Sequence, residues 1–210
     1  MGKMDEQIIV VKRSDLFGQG VDSLLFQGTE RAEDSVAELK KRMSHYFTVM
    51  RRGDAEENPA YKQPIPYAVL KKNNHYFTYR RLGGGGEERL YGKLSVGVGG
   101  HMNRVEDAED FQQVLAENLD REINEELILS NADGAKIQTI GIINDDETEV
   151  GKVHVGVLVV VVLPDNAEVA VREKDKLEGS WKTLPELSEP ATFERMESWS
   201  GLAINVLRHQ

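Results

Sequence analysis

Residues 155–163 read VGVLVVVVL, a run without a single polar side chain. A strand with one face in water alternates apolar and polar residues, because successive side chains point to opposite sides of the sheet. A strand that is apolar at every position is buried on both faces, so other layers must cover its sheet above and below. The run is bounded by His154 and Pro164, and it is far shorter than the roughly 20 residues that span a bilayer as a helix. Covered sheets of this kind belong to layered α/β proteins, and the rest of the chain can be read against that requirement.

The segment QIIVVKR has the β-branched content of a strand. Between Arg31 and Tyr46, the spacing of Val36, Leu39, Met43 and Tyr46 predicts a helix. RRGDAEENPAYKQPIP then reads as a polar, proline-bearing connection. Residues 1–64 are therefore expected to form an N-terminal extension packed on or preceding a main domain of residues 65–210. YAVLKKNNHYFTYRR predicts two strands about the turn-prone pair Asn73 and Asn74. LGGGGEERLYG follows as a loop whose four consecutive glycines cost much entropy to fix. KLSVGVGGHMN is a short strand entering a glycine turn, and Val105 to Leu129 is helical by composition.

That helical region has two apolar faces, one from Phe111, Val114 and Leu115 and another from Leu119, Ile123 and Leu127. Beyond it, AKIQTIGII, VGKVHVGVLVVVVLP and NAEVAVRE supply strands. SEPATFERMESWSGLAINVLRH reads as a terminal helix with Ser188 as its cap and Pro190 in its first turn. No glycine-rich fingerprint of a dinucleotide-binding fold appears, and GGGGEERL lacks the Gly-Lys-Ser/Thr ending of a P-loop.

Charge and cysteine content remove several function classes. Lys and Arg number 26 against 36 Asp and Glu, a net charge of -10, which disfavours a protein that coats a nucleic-acid polymer. There is no cysteine, so disulfides, thiol catalysis and cysteine-ligated zinc are excluded, and a reducing compartment is expected. MGKMDEQIIV is charged before it is apolar, unlike a secretory leader, and Glu6 stands where a lipidation motif needs Ser or Thr. The expectation is a cytoplasmic protein with no membrane attachment.

The carboxylates of LDREINEELIL bear most directly on chemistry. At 100° per residue, Glu122, Glu125 and Glu126 share an arc of about 100°, next to Ile123 and Leu127 on the buried side. Like charges at this spacing repel, and three carboxylates on a rigid helical turn offer oxygen ligands suited to magnesium or manganese. The other reading of the same arc is a solvated acidic face. Upstream lies a paired glycine turn, whose carbonyls can approach an ion closely, and then Glu106.

With these residues in view, the sequence resembles the Nudix, or MutT-like, hydrolases, whose signature is G-x5-E-x7-R-E-U-x-E-E-x-G-U with U aliphatic. Gly100 and Glu106 match G-x5-E, and Arg121, Glu122, Ile123, Glu125 and Glu126 match R-E-U-x-E-E. Leu129 matches the last aliphatic position. YGKLSVGVGGHMN resembles the family's approach strand and turn, GKVHVGVLVVVVLP its long strand after the box, and VREKDKLEGSWKTLPEL its last strand. The resemblance covers about Tyr67 to Leu207. It departs in two places: fourteen residues rather than seven separate Glu106 from Arg121, and Ile128 replaces glycine. The added seven residues amount to nearly two helical turns and could either lengthen the helix or loop back.

The resemblance implies a Nudix-like α/β/α sandwich with a mixed central sheet and an N-terminal extension. It implies a metal-dependent hydrolase that cleaves the pyrophosphate linkage of a nucleoside diphosphate joined to another moiety. Magnesium, with manganese as an alternative, would be held by Gly100, Glu106, Glu122, Glu125 and Glu126, with Arg121 in the catalytic set. Arg80, Arg81, His101 and Glu147 are candidates for contacting a small-molecule nucleotide or other diphosphate. Period-two alternation lets at most one of Arg80 and Arg81 face the site, while His154 reads as structural or surface. A homodimer is compatible with the sequence. The alternatives are a Nudix-fold module that binds a nucleotide or partner without cleaving it, a diphosphate isomerase, and a structural protein with a solvated acidic helix. The lengthened box favours the first, and the absence of cysteine weighs against the second.

Overall fold

The computed structural model describes residues 2–82 and 91–209. The tetraglycine run, Gly83 to Gly86, lies outside the described residues. In chain order the elements are β1 (Gln7–Lys12), α1 (Arg13–Phe17), β2 (Gly28–Glu30), α2 (Glu33–Tyr46), β3 (Phe47–Arg51) and α3 (Arg52–Glu56). There follow β4 (Tyr61–Lys72), β5 (His75–Arg81), β6 (Leu94–Ser95), β7 (Gly97–Val98), α4 (Phe111–Glu126) and β8 (Leu127–Ser130). The remainder comprises β9 (Lys136–Asn144), α5 (Glu149–Val153), β10 (His154–Val162), β11 (Glu168–Val171), β12 (Leu177–Thr183), α6 (Leu184–Ser188), α7 (Pro190–Phe193) and α8 (Ser198–Leu207). The fold is a mixed α/β sandwich, and its main sheet follows the strand order β12-β5-β4-β10-β9-β2. Strand β10 is the valine-rich run, and it is buried at every position from His154 to Val161.

Two compact units are distinguished within the chain. The first comprises Met1–Pro66, Gly100–Asp120 and Gly141–Val157, and the second Tyr67–Gly99, Arg121–Ile140 and Leu158–Gln210. In the first unit, β1 pairs antiparallel with β3 and, at its end, with the start of β4. Its residues Ile8 to Val11 are fully buried, and Ile8 and Val10 pack with Ala55 of α3 against Met50 and Tyr61. Leu39 and Met43 of α2, one turn apart, are buried as the helical spacing requires. The Ile9 N–H donates to the Met102 carbonyl at 2.7 Å, tying the chain after the glycine turn to β1.

The segment expected to be a polar connection instead contains structure. Arg52–Glu56 is helical, and Tyr61–Lys72 is one strand in which Lys62 to Leu70 are buried. Pro64 and Pro66 masked this strand, because proline cannot donate to a ladder and usually marks its end. Lys62 is completely buried. Its ammonium donates to Asp146 Oδ1 and the Gly151 carbonyl, both at 2.7 Å, and to the His154 carbonyl at 3.2 Å. Arg13 forms a two-pronged pair with the same carboxylate. Burial works to raise the Asp146 carboxyl, but hydrogen bonds from Arg13, Lys62 and Asn144 outweigh it and hold the group well below the usual range. Burial likewise draws the Lys62 amine down, opposed by Asp146. The depressed carboxyl leaves Asp146 ionised at neutral pH.

In the second unit, β5 pairs antiparallel with β12 along its whole length and with β4 at the Asn73–Asn74 turn, where Asn73 takes a positive φ of 54°. Phe77 and Trp181 meet edge to face with ring centroids 5.3 Å apart. Strands β8 and β11 form a separate antiparallel ribbon. The terminal helix begins at Ser198, not near Pro190. Ser188 is the last residue of α6 rather than a cap, and its hydroxyl donates to the Leu184 carbonyl at 2.7 Å. The proline starts a separate single turn, α7.

Replacing Asp146 with Ala is expected to cost about 3–5 kcal/mol, because it leaves a buried ammonium without its counter-charge. Urea unfolding would measure this. A carboxylate with a depressed folded pKa contributes stability above its unfolded value and loses it as pH falls through the folded one. Wild-type stability should therefore decline on acidification below about pH 4, near the unperturbed carboxylate value, and that acid limb should be shallower in Asp146→Ala.

Candidate functional site

The carboxylate helix and its surroundings lie in the second unit from Arg121 onward. The helix ends at Glu126 and passes directly into β8 at Leu127, so the helix expected over residues 105–129 is shorter at both ends. Ile128 stands in the strand, paired with Ala170. The first positive φ after the helix belongs to Asn131, so the exit does not need the missing glycine. Arg172 supplies the alternative: its Nε donates to the Asn124 carbonyl at 2.9 Å and its Nη2 to that of Leu127 at 3.3 Å. The Arg172 N–H also donates to the Glu126 carbonyl at 2.9 Å. A cation and an amide thus satisfy the helix-terminal carbonyls that a glycine turn would otherwise serve.

On the acidic arc, Arg121 bridges Glu122 at 2.8 Å and Glu125 at 2.9 Å. Glu122 is buried and Glu125 exposed. Glu126 turns inward, and its Oε2 is buried without a hydrogen-bonding partner. Burial pushes this carboxyl up to about 7, against the opposing pull of the Arg81 guanidinium. Arg81 is held by Glu197 at 3.1 Å and lies over the Tyr79 ring, 5.7 Å from its centroid. Arg80 takes the other side of the strand, where it pairs with Glu178 at 2.7 Å. The expected alternation therefore separates the two arginines.

The approach strand is locked beside these groups. The Tyr79 hydroxyl donates to the Gly97 carbonyl at 3.0 Å. Ser200 Oγ, on α8, lies 2.8 Å from the Tyr67 hydroxyl and accepts from the Val96 N–H at 3.1 Å. Burial raises the Tyr67 and Tyr79 hydroxyls far beyond neutrality, so both remain proton donors. A Cβ on Gly97 would lie 2.2 Å from the Tyr67 ring.

Oxygen-only donors with a buried, unsatisfied carboxylate oxygen fit a hard dication such as magnesium. The ligand atoms of Glu122, Glu125 and Glu126 do not themselves gather within 4.8 Å as a set.

The remaining candidates lie in the first unit. Glu106 is exposed in a turn with Asp107, whose φ is 65°, well before the helix begins at Phe111. Of the fourteen residues between Glu106 and Arg121, 107–110 continue the loop that follows the glycine turn and 111–120 belong to the helix. Asn118, one of the residues of the lengthened spacing, is buried and organises that loop. Its Oδ1 accepts from the Asn103 N–H at 2.8 Å, and its Nδ2 donates to the Asn103 carbonyl at 2.9 Å. Gly100 is half-buried in the turn, and Glu147 is exposed.

His101 is half-buried and takes part in an arrangement that sequence reasoning missed. Its Nε2 lies 3.2 Å from His154 Nε2 and 3.3 Å from Glu56 Oε1, while His154 Nε2 lies 4.0 Å from the same oxygen. Among the described residues this is the group of three acidic or histidine side chains whose ligand atoms fall within 4.8 Å of one another. His154 is buried, and its Nδ1 contacts the Val150 carbonyl at 2.6 Å. Burial lowers its imidazole to about 4, so it is neutral at pH 7. The hydrogen bond with His101 holds the Glu56 carboxyl down to about 2 despite burial. Nothing in DAEEN marks Glu56 among its acidic neighbours; only the placement of α3 selects it.

No protein family profile matches the chain. It is 47% identical over 207 residues to Protein YmaB of Bacillus subtilis (strain 168), an alignment covering 99% of this chain and all of that protein. The crystal structure of Tm1382, a candidate Nudix hydrolase, superposes with a TM-score of 0.76 at 29% identity, covering 97% of this chain and 99% of the other. The NUDIX domain of Shewanella oneidensis NrtR, crystallised with ADP ribose, gives a TM-score of 0.50 at 13% identity, over 70% of this chain and 87% of that one. At that identity the likeness concerns the fold alone.

Gly97→Ala is expected to destabilise the protein by about 3 kcal/mol or more, since the added methyl drives into a buried aromatic ring. The midpoint of urea unfolding would show it. A Gly134→Ala control, whose methyl meets open space, pays only the backbone strain of a positive φ and should lose less.

Proposed function

The chain belongs to the Nudix superfamily and to the same family as its full-length Bacillus subtilis relative, and on that premise we propose that it is a divalent-metal-dependent hydrolase of a diphosphate linkage. The substrate class is a nucleoside diphosphate joined to another moiety. The observation that carries the reading is the inward-facing Glu126, whose buried Oε2 lacks a partner within the R-E-U-x-E-E turn. A solvated acidic face would leave its carboxylates in water, not bury one with an orphaned oxygen.

Glu122, Glu125 and Glu126 would hold magnesium; Gly100 and Glu106, the other candidates of the same box, belong to the first unit. When bound, the ion supplies charge neutralisation at the diphosphate and acidifies a coordinated water. The protein's own groups do the rest. Arg121 fixes Glu122 and Glu125 through charge-assisted hydrogen bonds, which limits the rotamers those carboxylates can adopt. Glu126, whose carboxyl burial pushes up to about 7, would release its proton on binding the ion. Arg81 is held in place by Glu197 and stacked on Tyr79, which suits it to anchor a phosphate. Arg80, paired on the other side of β5, is the weaker of the two candidates, and Glu147 remains a candidate on the exposed turn.

The second reading, a Nudix-fold module that binds without cleaving, is favoured by the position of Glu106 in an exposed turn outside the helix. One experiment separates them. The purified protein, with magnesium, is offered nucleoside triphosphates, dinucleoside polyphosphates, nucleotide sugars and dinucleotide cofactors, and products are measured. Turnover of at least one compound is expected, abolished by chelation and reduced by orders of magnitude in Glu126→Gln with an unchanged circular dichroism spectrum. Full activity in that variant would overturn the hydrolase reading, and binding without products would favour the second.

A further inference from the structure

The cluster of Glu56, His101 and His154 takes no part in the chemistry proposed for the acidic helix. Its three side chains come from separate elements: the end of α3, the loop after the paired glycines, and the first residue of β10. Within the cluster, one His101 nitrogen faces two neighbours at once. His154 Nδ1 must donate its proton to the Val150 carbonyl, which can only accept. In the neutral ring, His154 Nε2 is then a lone pair. That lone pair faces His101 Nε2 at 3.2 Å, and the same His101 nitrogen lies 3.3 Å from Glu56 Oε1. One N–H on His101 can be aimed well at only one of these acceptors. Both separations are also longer than those of ordinary charge-assisted bonds.

A cation at the centre would engage all three. With zinc–nitrogen bonds of about 2.0–2.1 Å, a tetrahedral ion places its ligand atoms about 3.3 Å apart. The two shorter edges of the cluster, 3.2 and 3.3 Å, fall at that spacing. The third, at 4.0 Å, involves the carboxylate, which has a second oxygen and rotates readily. The Val150 carbonyl on the far nitrogen of His154 is the kind of outer partner that fixes a ligating imidazole's tautomer and ring direction. Two imidazoles select against magnesium and calcium and favour zinc and its neighbours.

We propose that Glu56, His101 and His154 form a zinc-binding site, with three protein ligands and a fourth coordination position left for water or a substrate oxygen. It is built from other residues than the magnesium ligands proposed on α4 and does not depend on them. Glu56, a quarter exposed at its side chain, marks the side from which an ion can enter. Lys62 and Arg52 are the nearby cations. Lys62 is paired with Asp146, and Arg52 lies between two carboxylates, its Nε 3.5 Å from Glu56 and its Nη1 3.6 Å from Glu6.

The test uses full-length protein stripped of metal with a chelator. Zinc is titrated calorimetrically, and cobalt(II) is added as a spectroscopic substitute. A single zinc ion per chain is expected, and cobalt should give the intense visible absorption of a tetrahedral ion. Glu56→Gln and His101→Gln should each weaken zinc by at least tenfold. Glu126→Gln should keep zinc affinity while losing magnesium-dependent turnover, which separates this proposal from the one above. Because a variant could misfold, the imidazole nitrogens are also followed by NMR in the unaltered protein, where the Nε2 signals of His101 and His154 should shift together as zinc is added. Silent imidazole signals, an octahedral cobalt spectrum, or undiminished affinity in a correctly folded His101→Gln would overturn the proposal. So would NMR evidence that the rings share only a proton and ignore zinc.

Discussion

A lysine with no exposure to water is the constraint on which the first unit turns. An ammonium deprived of solvent must find its full complement of acceptors or lose its proton. Lys62 finds them in Asp146 before the short helix α5, in the carbonyl of Gly151 within it and in that of His154 just after it. That helix is held from both ends. Thr148 caps it by accepting the Gly151 N–H at 3.0 Å, and His154 closes it by contact with the Val150 carbonyl. A Cβ on Gly151 would lie 1.8 Å from the Asp145 carbonyl oxygen, so only glycine admits the close approach that brings its own carbonyl to the lysine. The burial of one cation thus fixes the backbone from which the His154 ring projects.

The second unit solves a similar problem with the opposite sign. Glu126 is an acid in surroundings that disfavour its charge, and the groups about it compensate only in part. Arg81 is shared with Glu197, and the Tyr79 proton goes to the Gly97 carbonyl. Structural carboxylates are ordinarily given enough partners to remain ionised, as Asp146 is by Arg13, Lys62 and Asn144. The contrast between these two acids, one held low by three partners and the other pushed up to about 7 by burial, supports the proposal that the first is structural and the second takes part in chemistry.

Much of this was legible in the sequence because it rests on short-range periodicity. The apolar residues of α4, from Phe111 to Ile123, are buried together with Leu127 just after it, and β10 is covered from His154 to Val161. The turn at Asn73 and the separation of Arg80 from Arg81 follow from local rules of the same kind. What escaped depended on partners distant in the chain. Pro64 and Pro66 suggested a linker, yet pairing with neighbouring strands keeps Tyr61–Lys72 continuous. Ile128 looked like a damaged helix exit until Arg172, 44 residues later, was found to serve those carbonyls. His154 read as structural because its significance lies in Glu56 and His101, and no spacing rule relates the three.

Donor chemistry gives the two clusters different demands. Carboxylates and peptide carbonyls are hard ligands that suit a strongly hydrated ion keeping several waters, whereas imidazoles suit an ion that binds nitrogen. A dication that prefers nitrogen binds oxygen sites too, since affinities across the divalent series depend on the ion as well as the ligand. Histidine pairs draw such an ion preferentially, because each neutral imidazole offers a lone pair without the charge repulsion that three neighbouring carboxylates must overcome. On the two proposals, separating nitrogen from oxygen donors would let one chain discriminate between two divalent ions by ligand type.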